Sequence, residues 1–202
     1  MAKKIAIIDY GLGNLRSVIR GLERAGSAAA ITNDATEIAA ADGIVLPGVG
    51  AFSLGMEQLG LLKETVITAT RDVPLLGICL GMQMLMQMSE EHGEHPGLGL
   101  VPGHVRRFPR VPGQKVPHMG WNTIHLEEPD NPLFSGLSTD ECVYFVHSYY
   151  AKTSPEYTLT TTHYICPFAS SIHHKNVYGV QFHPEKSGAV GLHLLKNFID
   201  MV

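Results

Sequence analysis

The sequence has few cysteines, little excess charge and no long apolar run. Its three cysteines, Cys79, Cys142 and Cys166, match neither a disulfide framework nor a zinc ribbon in number and spacing. No apolar stretch approaches the roughly 18 residues that cross a bilayer, and the N-terminal run at residues 5–8 is too short for a signal peptide. A net charge of -4 offers no basic surface for nucleic acid. We therefore expect a cytoplasmic protein that binds neither nucleic acid nor a membrane.

No linker rich in proline, glycine, serine or charge interrupts the 202 residues. This continuity predicts one domain that spans residues 1–202. Hydrophobic residues make up 45% of the chain and charged residues 17%. These proportions are typical of a soluble enzyme with a sizeable core.

The first half of the sequence alternates short apolar runs with helical patterns. Strands are predicted at residues 4–9, 28–32, 43–46 and 73–78. Helices are predicted at residues 15–25, 34–41 and 52–70, the last broken near Gly60. The alternation predicts an α/β fold with an open, mostly parallel, flavodoxin-like sheet whose ligands bind at the carboxyl ends of the strands.

The second half is richer in proline and predicts an antiparallel extension of this sheet. Its β-rich segments lie at residues 116–126, 142–150, 157–163, 168–173 and 176–182. A closing helix is predicted at residues 188–201.

The loop after the first predicted strand reads GLGN at residues 11–14, and Asn14 is placed to cap the first helix. The glycines suggest a dinucleotide-binding turn. However, Arg16 replaces the third glycine of that fingerprint, and no acidic residue closes the second strand. We expect an ordinary turn and no nicotinamide cofactor.

Cys79 follows the apolar run 75–78 and precedes a predicted helix at residues 80–88. With Gly77 and Gly81 on either side, the segment reads GxCxG, the layout of a nucleophile elbow. A thiol at a helix N-terminus is favoured in its reactive thiolate form. The alternative is a buried structural cysteine.

His183 comes directly after a predicted strand, in the sequence His183-Pro184-Glu185. Proline forces the residue before it out of the helical region, and in extended chain alternate side chains point the same way. Glu185 can therefore orient His183 as the base for a thiol nucleophile. The pairs His92 with His95 and His173 with His174 lack further ligands at zinc-site spacing, so no metal is predicted.

The chain resembles the class I, triad-type glutamine amidotransferases over nearly its whole length. The motifs that carry the resemblance are GICLGMQ at 77–83, HPE at 183–185 and PGVG at 47–50. Within this family it is similar to the glutaminase subunits of imidazole glycerol phosphate synthases, which act in histidine biosynthesis. That similarity is carried by VPHMGWN at 116–122, YFVHSYY at 144–150 and DYGLGN at 9–14.

The resemblance implies roles in glutamine hydrolysis for the residues at and around the predicted elbow. Cys79 is the implied nucleophile, His183 the proton carrier and Glu185 its orienting acid. The implied oxyanion donors are the Leu80 N–H and the segment Gly48-Val49-Gly50, although PGVG taken alone is better explained as an ordinary turn at the end of a strand.

Contacts with glutamine are implied for Gln83, for Glu91 and for the backbone of His147-Ser148-Tyr149. Each has an ordinary alternative as a helix-face residue, a solvated acid or a strand residue. Glu90 adjoins Glu91, so the acid is uncertain by one position.

The family pairs such a subunit with a (β/α)8-barrel cyclase, which uses the ammonia, and the implied interface includes Asn14, Tyr144 and Lys186. The resemblance implies no cofactor. Leu12 stands where relatives often carry proline. The remaining alternatives are a glutaminase subunit of another biosynthetic amidotransferase, a stand-alone cysteine hydrolase and a non-catalytic scaffold.

Overall fold

The computed structural model describes residues 3–202. The strands are β1 (Lys4–Ile8), β2 (Ala28–Thr32), β3 (Gly43–Leu46), β4 (Leu75–Ile78), β5 (Met86–Ser89), β6 (His95–Pro96), β7 (Val101–Arg107), β8 (His118–Leu126), β9 (Glu141–His147), β10 (Tyr149–Lys152), β11 (Thr158–His163), β12 (Pro167–His174) and β13 (Val177–Val180). The helices are α1 (Leu15–Arg24), α2 (Ala35–Ala39), α3 (Phe52–Leu59), α4 (Leu62–Ala69), α5 (Leu80–Met84) and α6 (Gly188–Met201).

The centre of the sheet is parallel, in the order β2-β1-β3-β4-β13. Beyond β13 the sheet continues through β12, β10 and β7, which pair antiparallel, to β5 and β6. Strands β11, β8 and β9 branch from β12 as an antiparallel extension. The predicted mostly parallel α/β sheet with an antiparallel second half is confirmed. One strand of the second half departs from the predicted antiparallel pairing: β13 pairs antiparallel with β12 but parallel with β4.

The core lies on both faces of the parallel sheet because side chains alternate along each strand. Ile5 and Ile7 of β1 face one cluster, which α1 and α6 cover with residues such as Leu22 and Phe198. Ile8 faces the other cluster, which includes apolar residues of α2, α3 and α4. Because helices cover both faces, ligands can reach such a sheet at the carboxyl ends of its parallel strands, and a site is expected there.

The helix predicted at residues 80–88 ends early. Helix α5 ends at Met84, and residues Met86–Ser89 form β5 beside β7. The carbonyls at the end of α5 accept hydrogen bonds from a later segment of the chain. The Met84 carbonyl accepts from the Leu98 N–H at 2.8 Å, and the Leu85 carbonyl accepts from the Leu100 N–H at 2.9 Å. These long-range bonds compete with the helical ones and leave no signal in the local pattern.

Other boundaries shift for comparable reasons. The strand predicted at residues 142–150 is divided into β9 and β10 at Ser148, whose carbonyl accepts from the Phe108 N–H at 3.1 Å. Strands β5, β6 and β7 were not predicted. Asn14 occupies the N-cap of α1, but within residues 3–202 its side chain makes no capping hydrogen bond. Gly26 ends α1 as predicted, and Gly60 separates α3 from α4.

Replacing Phe198 by alanine tests the packing of α6 on the sheet. Phe198 is fully buried in the cluster that α1 and α6 share, so Phe198→Ala should lower the free energy of unfolding by about 3–5 kcal/mol. Lys196→Ala on the same helix removes only an exposed ion pair with Asp200 and should cost less than about 1 kcal/mol. Urea titrations measure both; equal losses would contradict the packing described.

Candidate active site

Cys79 lies on the turn between β4 and α5, at the carboxyl edge of the sheet. Its backbone has φ 55° and ψ -107°, a conformation that costs a non-glycine residue of order 1–3 kcal/mol. The Cys79 N–H donates to the Val180 carbonyl at 2.8 Å, which ties the turn to the end of β13. This strained turn is the nucleophile elbow that the sequence predicts.

The two glycines of GxCxG allow α5 to pack directly against the strands. A Cβ at Gly77 would lie 2.8 Å from both the Met82 nitrogen and a Leu85 methyl group, and one at Gly81 would overlap the Leu46 carbonyl oxygen. Larger residues at either position would push the helix away from β3 and β4. The glycines thus hold the start of α5 beneath the cysteine.

Glu185 lies in the short 3-10 turn Pro184–Lys186 that follows β13, and His183 is the N-cap of that turn. The Nδ1 of His183 lies 2.9 Å from Oε1 of Glu185, and both side chains are almost fully buried. The His183 N–H donates to the Tyr144 carbonyl at 2.9 Å, and the Ser187 hydroxyl donates to the His183 carbonyl at 2.7 Å. These bonds fix the imidazole with its Nε2 buried, and no group in residues 3–202 forms a hydrogen bond with that nitrogen.

The Cys79 sulfur lies near this free nitrogen. Burial lowers the pKa of His183, but interactions with Cys79 and Glu185 outweigh burial and raise the pKa to about 9. The parallel register of β13 on β4, with Val180 opposite Ile78, therefore brings the predicted nucleophile and base to the same place.

Gln181 is a further contact of the sulfur that the sequence analysis missed. Its Nε2 lies 3.6 Å from the Cys79 sulfur, and the side chain is fully buried. On the opposite side the sulfur is 3.9 Å from the Val146 carbonyl oxygen. A sequence signal existed, because Gln181 lies two residues before His183 and so points to the same side of an extended segment.

A cleft of about 300 Å³ opens above Cys79. It is lined by Val49, Gly50, Cys79, Leu80, Gln83, Glu91, Pro117, Val146, His147, Ser148 and Tyr149. The structure thus brings most of the predicted oxyanion and substrate residues together around the sulfur. Three larger clefts, of about 340, 490 and 630 Å³, contain no member of the triad.

The Leu80 N–H, a predicted oxyanion donor, already has an acceptor. The Leu80 N–H points to the carbonyl of Gly48 at 3.4 Å, so a carbonyl oxygen stands where an oxyanion would need donors. Tyr10 holds the preceding residue, since its hydroxyl donates to the Pro47 carbonyl at 2.7 Å. Burial raises the pKa of Tyr10, with a smaller contribution from the charge of Cys79. The hydroxyl therefore stays a donor.

The two adjacent acids differ in position. Glu91 faces the cleft, where its Oε2 accepts from the Phe52 N–H at 2.7 Å. Glu90 is exposed and pairs with Arg106 at 3.1 Å. Of the two, Glu91 is placed to meet a ligand in the cleft.

Two buried histidines, His147 and His118, form a hydrogen-bonded chain that leads away from the cleft. The Tyr149 carbonyl accepts from Nδ1 of His147 at 2.8 Å, and Nε2 of His147 lies 3.0 Å from Nδ1 of His118. Asn122 donates to Nε2 of His118 at 3.2 Å. Since a carbonyl only accepts, the chain of bonds fixes both histidines in neutral forms. Burial lowers the pKa of His118 to about 4 and that of His147 to about 3.

The glutamine amidotransferase class-I family model matches residues 6–202. The chain belongs to this family. A relative from Methanosarcina barkeri, named imidazole glycerol phosphate synthase subunit HisH, is 53% identical over 98% of this chain and 99% of its own. A relative of the same name from Archaeoglobus fulgidus is 46% identical over 98% of both chains.

Solved structures agree at the level of the fold. The structure of PurLQS from Thermotoga maritima superimposes with a TM-score of 0.76 at 18% identity, over 100% of this chain and 99% of that one. A crystal structure titled glutamine amidotransferase gives a TM-score of 0.75 at 17% identity, over 98% of this chain and 99% of that one.

Around this amidotransferase site, the predicted interface residues lie at the same edge of the sheet. Lys186 follows the triad acid, and its Nζ lies 5.9 Å from the centre of the Tyr144 ring. Tyr144 in turn packs edge-on against Trp121 at 6.0 Å. Asn14 begins α1, next to Gly13, whose added Cβ would lie 3.7 Å from the Gly48 Cα. The GLGN loop thus borders the oxyanion segment.

Trp121 and Met119 were not singled out from the sequence. They are 58% and 63% exposed, which is unusual for side chains of this size. Both lie on β8 and, two residues apart, point to the same side. The sequence alone does not show which face of β8 is buried, so it could not show that these two apolar side chains are exposed.

Over residues 3–202, no three histidine, cysteine or acidic side chains cluster as metal ligands. In the same residues, no helix has the length and apolar character required to cross a membrane.

The two buried histidines predict an acid-sensitive fold. The unfolded chain protonates both near pH 6.5, whereas the folded chain protonates His118 only at about pH 4 and His147 at about pH 3. The stability that these two histidines contribute is therefore fully present above about pH 6.5 and is lost as pH drops below it, by up to about 1.4 kcal/mol per pH unit for each histidine. Urea titrations at several pH values measure the slope. His118→Gln, which does not titrate, should lose one of the two contributions; an unchanged slope would contradict the assignment.

Proposed function

We propose that this chain is the glutaminase subunit of an imidazole glycerol phosphate synthase. It hydrolyses glutamine to glutamate and ammonia, and it delivers the ammonia to a (β/α)8-barrel cyclase subunit in a heterodimer. The cyclase forms imidazole glycerol phosphate and the aminoimidazole carboxamide ribonucleotide of histidine biosynthesis. The observation that carries the proposal is the near-complete match, at 46–53% identity, to subunits of that name.

In the first half of the reaction Cys79 attacks the side-chain amide carbon of glutamine. His183 takes the thiol proton on Nε2 and gives it to the departing nitrogen, so that ammonia leaves and a glutamyl thioester remains. Glu185, bonded to Nδ1 at 2.9 Å, orients the ring and stabilises its positive charge. The raised pKa of His183, about 9, suits a base that holds the thiol proton until the departing nitrogen takes it.

In the second half water replaces ammonia at the same place. His183 removes a proton from the water, the oxygen attacks the thioester carbon, and the sulfur leaves and recovers a proton. Glutamate is released and Cys79 is free again. Both tetrahedral intermediates need donors for their oxyanion, and we assign these to the N–H groups of Leu80 and of the 48–50 segment.

Glutamine binds in the 300 Å³ cleft above Cys79. We assign its α-ammonium group to Glu91, whose carboxylate faces the cleft, and its carboxylate to the backbone of residues 147–149. Gln83 uses both of its N–H groups within the protein, on the Tyr149 carbonyl and on Gln181. It therefore has only its oxygen to offer the substrate.

The oxyanion segment is in a non-donating orientation, because the Gly48 carbonyl accepts from the Leu80 N–H. Rotation of the Gly48–Val49 peptide would release Leu80 and turn the Val49 N–H toward the cleft. We infer that docking of the liganded cyclase favours this rotated state, since the segment lies beside the GLGN loop and the exposed interface edge. Loss of one oxyanion donor typically costs 10²–10³ in rate, so the free chain should be a poor glutaminase.

The cyclase docks on the carboxyl edge of the sheet. We assign Asn14, Tyr144 and Lys186 to this surface, together with the exposed apolar pair Met119 and Trp121. Ammonia is mostly protonated in neutral water and protonated ammonia is not a nucleophile, so direct transfer between the two sites preserves its reactivity. The surface lies next to His183, where ammonia is formed.

We propose that residues 1–202 act as one glutaminase domain in the cytoplasm and need no cofactor. Three unpaired cysteines suit a reducing compartment.

Glutamate release from glutamine tests the function. We expect the purified chain alone to be slow and the chain with cyclase and its nucleotide ligand to be faster by at least about 10², the value of an oxyanion donor. Cys79→Ala should abolish release in both. High activity without the partner would contradict the pathway assignment. Activation by the synthase subunit of a different amidotransferase would show that the cyclase is not the partner.

Removing the exposed tryptophan tests the docking surface. Trp121→Ala should weaken binding to the cyclase by about 2 kcal/mol, or roughly 30-fold in Kd, because buried aromatic anchors dominate interfaces. Leu61→Ala is the control. Leu61 is 97% exposed and lies in the turn between α3 and α4, outside the surface assigned to the cyclase, so its replacement should leave Kd unchanged. Calorimetric titration measures both, and equal effects would place the interface elsewhere.

A further inference from the structure

Gln181 is a fully buried polar side chain that the mechanism above does not use. It follows β13, and its backbone N–H donates to the Ser170 carbonyl at 2.9 Å. Its side-chain Nε2 lies 3.6 Å from the Cys79 sulfur. A buried amide needs hydrogen-bond partners, and this one has a reacting atom as a partner.

The surrounding bonds determine which end of the Gln181 amide faces the sulfur. The Tyr149 carbonyl can only accept, so Gln83 must present its NH2 group there, at 2.9 Å. The same NH2 group donates to Oε1 of Gln181 at 3.0 Å. Oxygen is thereby committed to Gln83, and the NH2 group of Gln181 is left to face Cys79.

The Tyr149 carbonyl is itself held in place. It accepts a second bond, from Nδ1 of His147 at 2.8 Å, and His147 is backed by His118 at 3.0 Å. An acceptor fixed on two sides fixes the Gln83 amide, which in turn fixes Gln181. The donor aimed at the sulfur is thus preorganised before any substrate binds.

A donor at this position favours the charged form of the sulfur. A thiolate can accept from Gln181 on one side and from Nε2 of His183 on another, whereas the neutral thiol gains less from both. The Val146 carbonyl, 3.9 Å from the sulfur, can accept only from the thiol. Two donors therefore oppose one acceptor around the nucleophile.

We propose that Gln181 is a catalytic residue of this site, whose amide N–H donates to the Cys79 sulfur and stabilises the thiolate that attacks glutamine. Gln83 acts as its positioning residue by holding Oε1. This inference deepens the proposed function, on which it rests for the identity of the reaction.

The test is the rate at which iodoacetamide alkylates Cys79, measured on the Cys79 peptide by mass spectrometry from pH 6 to pH 10. This readout needs neither glutamine nor the cyclase. Gln181→Met has similar volume and no donor; its rate at pH 7 should fall about threefold, because less thiolate is present. At pH 10 its rate should exceed that of the unchanged protein by a similar factor, because a less stabilised thiolate is more nucleophilic.

Gln181→Glu places an acceptor and a negative charge beside the sulfur, so it should lower the rate at pH 7 by more than about tenfold. Ser170→Ala is the matched control, since Ser170 is buried, bonds to Thr160 at 2.8 Å and belongs to the neighbouring strand. Its alkylation profile should coincide with that of the unchanged protein.

Crossing profiles support the proposal, because mere damage to the fold lowers or raises reactivity at every pH. A Gln181→Met profile that coincides with the unchanged protein, or that shifts in parallel at all pH values, overturns it. If neither Gln181 variant folds, the unchanged protein decides: alkylation of Cys79 should move the side-chain amide NMR signals of Gln181, and unmoved signals overturn the proposal.

The two proposals fail separately. Activation of glutaminase by the cyclase together with unaltered alkylation in Gln181→Met rejects the role of Gln181 alone. Crossing profiles together with no glutaminase activity in the complex reject the proposed function alone.

Discussion

The hydrogen bond from the Cys79 N–H to the Val180 carbonyl, 2.8 Å long, joins the two segments that carry the chemistry. It extends the parallel register of β4 and β13 by one residue beyond the strands. Cys79 and the residues from Gln181 to Glu185 therefore leave the sheet at the same edge. A slip of one residue would turn the side chains of β13 to the other face, and the nucleophile would then lose its base.

Around this joint the nucleophile and base of the proposed triad are held by short hydrogen bonds, whereas the proposed oxyanion segment is held by a longer one. Cys79 and His183 are buried and their N–H groups donate to the carbonyls of Val180 and Tyr144, and Glu185 is bonded to His183. The 48–50 segment is tied to the rest of the site by the 3.4 Å bond from the Leu80 N–H to the Gly48 carbonyl, and Tyr10 holds the Pro47 carbonyl before it. Gly48 and Gly50 let its peptides turn with little steric cost. We infer that a partner controls the rate through this segment without disturbing the proposed triad.

Much of the fold, and the residues of the proposed triad that it brings together, could be predicted because both depend on local sequence patterns. Alternating apolar runs gave the parallel strands, and GxCxG with His183-Pro184-Glu185 gave the elbow and the base. The failures have one physical cause, which is contact between distant segments. Helix α5 ends at Met84 because residues 98–100 take its carbonyls, and Gln181 meets Cys79 only because β13 lies beside β4. The roles of Gln83, Glu91 and the interface residues came from family resemblance and remain predictions.

The most direct measurement is a crystal structure of the complex with the cyclase, its nucleotide ligand and glutamine, with Cys79→Ala to prevent turnover. We predict that the Gly48 carbonyl has turned away from the Leu80 N–H, and that the N–H groups of Leu80 and Val49 face the amide oxygen of glutamine. A Gly48 carbonyl that still accepts from Leu80 in a complex known to be fully active would contradict control through the oxyanion segment.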